Sequence, residues 1–429
     1  MRHLRWILVA LVSLAAPVAA DPPNIILMIG DGMGPAHLTA YRHYQHRGPI
    51  HEAPPTVLDR LLVGMSSTHP LDDTVVTDSG ASATALATGQ KTCNQAIAVD
   101  CDSEPLRTLF HAAKARGMQT SVVVTSQVYH ATPASFYAHH RSRHAYAAIA
   151  DHLVENTMSD ALPVDVIFGG GKRHMIREDR NIAEELQAAG YTYADSLAQL
   201  EALEQAPALA LLADAGLPHA LDNPEEQVLA RMTEKALALH ADHEAGFVMM
   251  IEGSQIDWCS HANDIACTLA EMHDFAEAVR VAKAFVRDNP NTLLLITGDH
   301  ETGGLSVGAN NEYQWLPEVI RGVQHSAGVL SERLRGTEDW ETTWESYTGL
   351  TLAEEEKAAL YRARAAGKDP LADAIKDLIN RRSHTGWTSG GHTAVDVPIL
   401  AYGAQAERFA GFVDNAEIGQ RLLQLLDED

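Results

Sequence analysis

Apolar runs of strand length recur along the chain, at Asn24 to Ile29, Thr120 to Thr125, Phe247 to Ile251, Thr292 to Thr297 and Val397 to Tyr402. Amphipathic helical stretches separate them, notably Glu225 to His240, Thr268 to Val286 and Asn415 to Leu426. Strands that are apolar on both faces must be covered on both, and their alternation with helices predicts an α/β fold. Its form is a three-layer α/β/α sandwich with a largely parallel central sheet.

The stretch Val75 to Gly89, VVTDSGASATALATG, has another pattern. Two β-branched residues lead into Thr77 and Asp78, which have the chemistry of helix caps, and a run of small helix-compatible residues ends at Gly89. Ser79 is therefore expected at a strand-to-helix turn, beside backbone N–H groups and the positive end of a helix, where an anion is stabilised. A small-residue helix packed closely on a sheet would show the same pattern, so this stretch by itself leaves both readings open.

In parallel sheets ligands gather at the carboxyl ends of the strands. Each of the first four apolar runs is followed by ligand-type residues: Asp31; His130 and Thr132; Glu252, Asp257 and His261; Asp299 and His300. The fifth run is preceded by His392. One acid after a strand commonly just caps the next helix. Several converging on one sheet edge, with Asp and His mixed, point to a multinuclear zinc site with a harder, oxygen-rich site for magnesium. Gly30-Asp31-Gly32-Met33-Gly34 is not a dinucleotide fingerprint, because the third glycine comes too soon and Asp31 would crowd a pyrophosphate. Ser79 lacks the nucleophile elbow, since Thr77 and Ala81 stand where glycines are needed, which disfavours an esterase triad.

Composition narrows the setting. Residues 1–20 combine Arg2 and Arg5 with an apolar run from Trp6 to Ala16, then Pro17, Val18 and Ala20, the pattern of a cleavable signal peptide. No cysteine follows the cut before Asp21, so no lipid anchor is expected, and no later run approaches the roughly 18 residues of a membrane span. Residues 21–429 are expected to be exported, periplasmic or secreted. With 46% apolar residues over the full chain, no internal repeat and no low-complexity linker, they could form one large domain or two smaller ones. Removing Arg2 and Arg5 takes the formal charge from −25 to −27, which argues against nucleic acid or an anionic membrane as partner.

Four cysteines form two local pairs, Cys93 with Cys101 and Cys259 with Cys267, and an exported protein should hold them oxidised. Three connectivities are possible, and the sequence-local one is favoured because each pair closes a short loop. Such loops gain less than the roughly 3 kcal/mol of a 15-residue loop, so the bridges pin loops more than they hold the fold. Most of the 22 histidines, His139, His140 and His144 among them, are expected to bind nothing. Between Gly304 and Trp387 the pattern loosens around Trp315, Trp340 and Trp344, and residues 305–386 read as an insertion over or beside the site.

At this point the chain resembles an alkaline phosphatase. The motifs are Asp31-Gly-Met-Gly, Asp78-Ser-Gly-Ala-Ser, His130-Ala-Thr132-Pro, Arg143, Glu252-Gly-Ser-Gln-Ile-Asp257-Trp-Cys-Ser-His261, Thr297-Gly-Asp299-His300-Glu-Thr-Gly-Gly and Gly391-His392-Thr. Their order and spacing cover most of residues 21–429, which the resemblance makes one catalytic domain. It implies hydrolysis of phosphate monoesters with Ser79 as nucleophile and Arg143 as the phosphate clamp. One zinc would be held by Asp257, His261 and His392, a second by Asp31, Asp299 and His300, and a magnesium by Asp31, Thr132 and Glu252. His392 fits better than His384, because the VDVPILAYG after it resembles the family's final core strand. A homodimer is also implied. Two metals can hold the attacking and leaving oxygens of an in-line displacement, and Arg143 offers a planar fork to two phosphate oxygens.

A sulfatase would need a modifiable residue in a C/S-x-P-x-R context, and Ala81 replaces that proline. A phosphodiesterase of the same superfamily typically has two metals and often a threonine nucleophile; Ser79 with Thr132 and Glu252 favours a monoesterase. An exported metal- or phosphate-binding protein without turnover is the remaining alternative. The sequence departs from one form of the family at His130 and Trp258, where that form has Asp and Lys. A neutral imidazole cannot supply a carboxylate to orient a magnesium-bound water, nor an indole an ammonium, so weaker magnesium binding is expected. Otherwise His130 fills space and Trp258 merely packs.

Overall fold

In the computed structural model, which describes residues 22–427 apart from 156, 157, 159, 160 and 225, the apolar runs pair into one ten-stranded sheet. In chain order its strands are β1 (Asn24–Gly30), β2 (Leu62–Ser67), β3 (Gln119–Gln127), β4 (Val166–Gly170), β5 (Thr192–Ala194), β6 (Ala208–Leu211), β7 (Phe247–Gly253), β8 (Thr292–Gly298), β9 (Val397–Gly403) and β10 (Gly411–Asp414). Their spatial order is β10-β2-β9-β8-β1-β7-β3-β4-β6-β5. All pairings are parallel except those of β9, which runs against both β8 and β2.

Alternate residues of β1 enter two separate cores, as the period of two along a strand requires. Ile26 and Met28 pack with Met272, Phe275 and Val279 of the long helix Ile265–Asp288. Ile25, Leu27 and Ile29 pack on the other side with Leu86 of helix Ser79–Thr88 and with Ile418 and Leu422 of helix Asn415–Asp427. This is the three-layer sandwich.

Helix Ile265–Asp288 starts before the expected Thr268 because Asp264 caps it, accepting a hydrogen bond from the Cys267 N–H at 3.1 Å. The expected helix from Glu225 begins at Val228, after Gln227 at φ 42°; Glu225 itself and the expected signal peptide lie outside the described residues. Within residues 305–386 stand five helices, Pro317–Arg321, Ala327–Arg335, Trp340–Thr348, Glu354–Ala366 and Lys368–Ser383. Their Trp340 and Trp344, with Trp315, join the core formed by helix Ile265–Asp288. Both cysteine pairs are bridged as expected, Cys93 to Cys101 and Cys259 to Cys267. Among the described residues no helix is long and apolar enough to cross a membrane.

Candidate active site

Strand register assembles the cluster. β1 lies between β7 and β8, with Ile29 beside Glu252 and Thr297, and Gly30 beside Gly253 and Gly298. The chain leaving these strands therefore brings Asp31, Glu252 and Asp299 together. On the far side of β7, Glu252 also pairs with Val124 of β3, whose continuation carries His130 and Thr132. Because β9 is antiparallel, the segment entering it reaches the same sheet edge, so His392 precedes its strand where the other ligand types follow theirs. Gly32, at φ +77°, permits the tight turn after Asp31: a Cβ there would stand 2.9 Å from the Cα of Asp257.

Ser79 is the first residue of helix Ser79–Thr88, all ten residues of which are buried. Asp78 caps it as expected, accepting from the Ala81 N–H at 3.0 Å, and Gly89 ends it in the left-handed conformation. The expected strand before Ser79 does not form; residues 68–78 are irregular and Val75 is exposed, so its β-branched side chain has no sheet to enter. Close packing explains the small residues, because a Cβ on Gly419 would meet the Ala85 carbonyl at 2.4 Å. The Ser82 hydroxyl donates to the Asp299 carbonyl at 2.6 Å and fixes the helix start against the cluster. Both readings of this stretch therefore hold in its geometry: the helix is closely packed, and Ser79 Oγ lies 3.1 Å from His300 Nε2 at the cluster's edge.

Three imidazoles share one anchoring pattern. His261 Nδ1 lies 2.7 Å from the Gly390 carbonyl and His392 Nδ1 2.8 Å from the Thr77 carbonyl, so both must donate. The Thr302 hydroxyl gives its proton to Asp257 Oδ1 at 2.5 Å, which leaves its oxygen to accept from His300 Nδ1 at 3.2 Å. Assigned from this network, every Nδ1 is the protonated nitrogen, and every Nε2 turns toward the carboxylates. His261 Nε2 and His392 Nε2 face each other at 3.1 Å and lie 3.3 and 3.6 Å from Asp257. His300 Nε2 lies 3.2 Å from Asp299 and 3.4 Å from Asp31. Imidazoles with Nδ1 tethered and Nε2 converging on carboxylates are the pattern of metal-ligating histidines.

Three donor groups result, each with ligand atoms within 4.8 Å of one another: Asp257, His261 and His392; Asp31, Asp299 and His300; Asp31, His130 and Glu252. The first two are the expected zinc triads. The third contains Asp31 and Glu252 of the expected magnesium set, with Thr132 beside Glu252, and adds His130 as a possible donor in its own right. His130 meets Trp258 edge-on at 5.8 Å, and Trp258 packs over Gly216. His384 ends helix Lys368–Ser383 with its Nε2 on Gln314 and takes no part in these groups. The fourth donor group, His219, Glu271 and the Cys259 and Cys267 sulfurs, has its sulfurs joined to each other.

Electrostatics fit cations here. Asp31 is completely buried, neither of its oxygens receives a hydrogen bond, and burial followed by Asp299, Asp257 and Glu252 raises its pKa well above the carboxylate range. Burial pushes Glu252 up to about 7 in spite of the Ser254, Thr132 and Ser126 hydroxyls. Burial also acts on Asp257, but the His261 hydrogen bond and the His300 charge bring it well below its ordinary value. Burial then His300 lower His392 to about 4, and burial then Arg143 lower His130 to about 3, so both are neutral ligands at neutral pH. The Asp257 hydrogen bond lifts His261 to about 8, and at His300 burial is outweighed by Asp299, which raises it, so protons and divalent metal ions compete for the same nitrogens among four buried carboxylates.

Arg143 donates to Asp78 Oδ2 at 3.0 Å, so the carboxylate that caps the Ser79 helix with one oxygen holds the arginine with the other. From the sequence Asp78 reads as a cap, and Thr302 carries no expected role. The signal available for Thr302 is a hydroxyl two residues after a ligand-type histidine, close enough in the chain to reach its ring.

The profile of the alkaline phosphatase family matches residues 23–427. The chain is 40% identical over 409 residues to alkaline phosphatase 3 of Bacillus subtilis, covering 94% of this chain and 88% of that one. Its fold is similar to the crystal structure of the cold-active alkaline phosphatase from the psychrophile Shewanella sp., with a TM-score of 0.90, 44% identity, and 94% and 99% of the two chains covered. It is also similar, at 26% identity and a TM-score of 0.70 over 96% and 100% of the chains, to a histidine-to-aspartate variant of the alkaline phosphatase of TAB5, described with Mg bound in its M3 site. With a matching profile over nearly its whole length, a sheet of the same architecture and metal-donor groups at its carboxyl edge, the chain belongs to the alkaline phosphatases, a family of metal-dependent enzymes.

Proposed function

We propose that the enzyme hydrolyses phosphate monoesters through a phosphoseryl intermediate on Ser79, with two zinc ions and one magnesium ion, as an exported homodimer. The observation that carries the metal assignment is the tethering of three Nδ1 atoms with three Nε2 atoms left facing Asp31, Asp257 and Asp299. Asp257, His261 and His392 would hold one zinc, Asp31, Asp299 and His300 the other, and Asp31, Thr132 and Glu252 the magnesium. When bound, these ions would supply positive charge to developing oxygen anions.

The chain's own groups do the positioning. Ser79 Oγ, at a helix N-terminus where backbone N–H groups favour an anion, bonds to phosphorus as the phosphorus–ester oxygen bond breaks, and the proton lost from the hydroxyl ends on the departing oxygen to give the alcohol. Water then cleaves the Oγ–P bond, releasing inorganic phosphate and restoring the hydroxyl. Arg143, braced by Asp78, would present its remaining N–H groups to the phosphoryl oxygens. Metal analysis of the purified enzyme, with p-nitrophenyl phosphate and bis-p-nitrophenyl phosphate as substrates, tests this reading. Two zinc and one magnesium per chain with strong preference for the monoester support it; preference for the diester, or full turnover after chelation, contradicts it.

A further inference from the structure

At the other edge of the sheet lies a cavity of ≈ 790 Å³ that the reaction does not use. Tyr402 in its wall stands near the end of β9, and the reversed direction of that strand places it at the amino edge of β8, paired with Leu294. Leu294 and its partner Ile26 stand five residues before Asp299 and Asp31, so at ~3.3 Å per residue along a strand Tyr402 is about 17 Å from the cluster.

Six of the side chains lining this cavity are Arg42, Arg47, Arg60, Arg280, Lys283 and Arg287, and no Asp or Glu lines it, in a chain with 57 acidic and 32 basic residues. They come from three places: helix Pro35–Gln45 and the residues after it, the turn Asp59–Leu61, and one face of helix Ile265–Asp288. Arg42 is paired with Asp59, Arg280 with Glu277 and Arg287 with Asp288, all outside the lining. Among the described residues Arg47, Arg60 and Lys283 have no carboxylate at ion-pair distance, and Lys283 Nζ rests 5.4 Å from the Tyr402 ring centre. The negative end of helix Pro35–Gln45 does not neutralise them either, because the Arg321 guanidinium already occupies the carbonyls of His43, Tyr44 and His46.

Like charges gathered in a concavity repel one another, and in so acidic a chain a carboxylate could readily have been placed among them. The geometry points to a binding site there for a soluble anion carrying several phosphate groups, held by Arg47, Arg60 and Lys283 with the paired arginines around it. Cations from three separate elements around a space larger than one phosphate favour clustered phosphates over orthophosphate. Guanidinium forks match phosphate oxygens in pairs. The same chemistry could come from phospholipid headgroups, and acidic residues of a second copy would complement the charge; the test separates these.

Fluorescence titration of the metal-loaded enzyme with pyrenetetrasulfonate, an anion without a hydrolysable phosphate, reads the site directly. Displacement by tripolyphosphate is then measured on metal-loaded Ser79→Ala. We expect one probe per chain, displaced at least tenfold more effectively by tripolyphosphate than by orthophosphate. Arg47→Ser with Lys283→Ser should weaken the probe at least tenfold while kcat and KM for p-nitrophenyl phosphate change less than twofold, which also shows that the variant is folded. Arg47→Lys with Lys283→Arg should keep binding. Equal binding by the serine variant, or equal displacement by the two phosphates, overturns the proposal. So does capture by phosphatidylglycerol vesicles with no uptake of the soluble probe, and so does a change of oligomeric state in the serine variant with no probe bound by the wild type.

Discussion

Replacing Thr302 by Val removes one hydroxyl and almost no volume, yet that hydroxyl serves two of the candidate ligands. It is fully buried, donates to Asp257 at 2.5 Å and accepts from His300 Nδ1 at 3.2 Å. A hydrogen bond to a charged group contributes about 1.5–3 kcal/mol, and in Thr302→Val the His300 N–H is also left buried without its acceptor. At about 1.4 kcal/mol per tenfold, retention of metal should fall roughly ten- to hundredfold, in the range known for partners that orient metal ligands. Zinc release into a chromogenic chelator measures the retention, and activity at saturating zinc separates lost metal from lost chemistry. Thr302→Val should release zinc faster and recover most of its kcat when zinc is in excess, while Thr302→Ser should behave as the wild type. Equal release by all three proteins would refute the role given to this hydroxyl.

Asp274 is buried beside Glu271 and accepts from the Leu229 N–H; burial and then Glu271 push it up to about 7, above the about 3.9 of an unfolded Asp. The contribution of Asp274 to stability is therefore fully present below about pH 4 and is lost as pH rises through 7, by up to about 4 kcal/mol. Asp274→Asn should raise the urea midpoint at pH 8 and lose that advantage toward pH 4; an equal effect at both pH values would show the carboxyl is not the cause. The Cys259–Cys267 bridge joins the His261 helix to helix Ile265–Asp288, so replacing both cysteines by Ser should lower stability by less than about 3 kcal/mol and speed zinc loss. Unchanged zinc release would separate the bridge from the site. His130→Asp should lower the magnesium concentration that half-activates zinc-loaded enzyme, and an equal or higher requirement would contradict the weak third site inferred for the imidazole.

The strands that carry the cluster were legible because they lie at the centre of the sheet, apolar on both faces, and each ends in a residue type with no place in a core. Peripheral strands were not. β2 is half exposed, β5 is three residues long, and the Ala208–Leu211 run of β6 reads equally as helix. Val75 and Val76 suggested a strand that did not form, because β-branched residues favour a strand only where a sheet is available to pair with. At the site, sequence spacing placed the donors but not their tethers. The carbonyls of Thr77 and Gly390 that fix His392 and His261 are backbone atoms, which no residue type announces. The division of Asp78 between a helix cap and Arg143 likewise needs the approach of two segments 65 residues apart.

Acid quenching of the enzyme with labelled phosphate, followed by peptide mapping, tests the central claim most directly. Label confined to Ser79, absent from Ser79→Ala while that variant still retains its metal, is the result predicted. Label on another residue, or near wild-type turnover by Ser79→Ala, would contradict it.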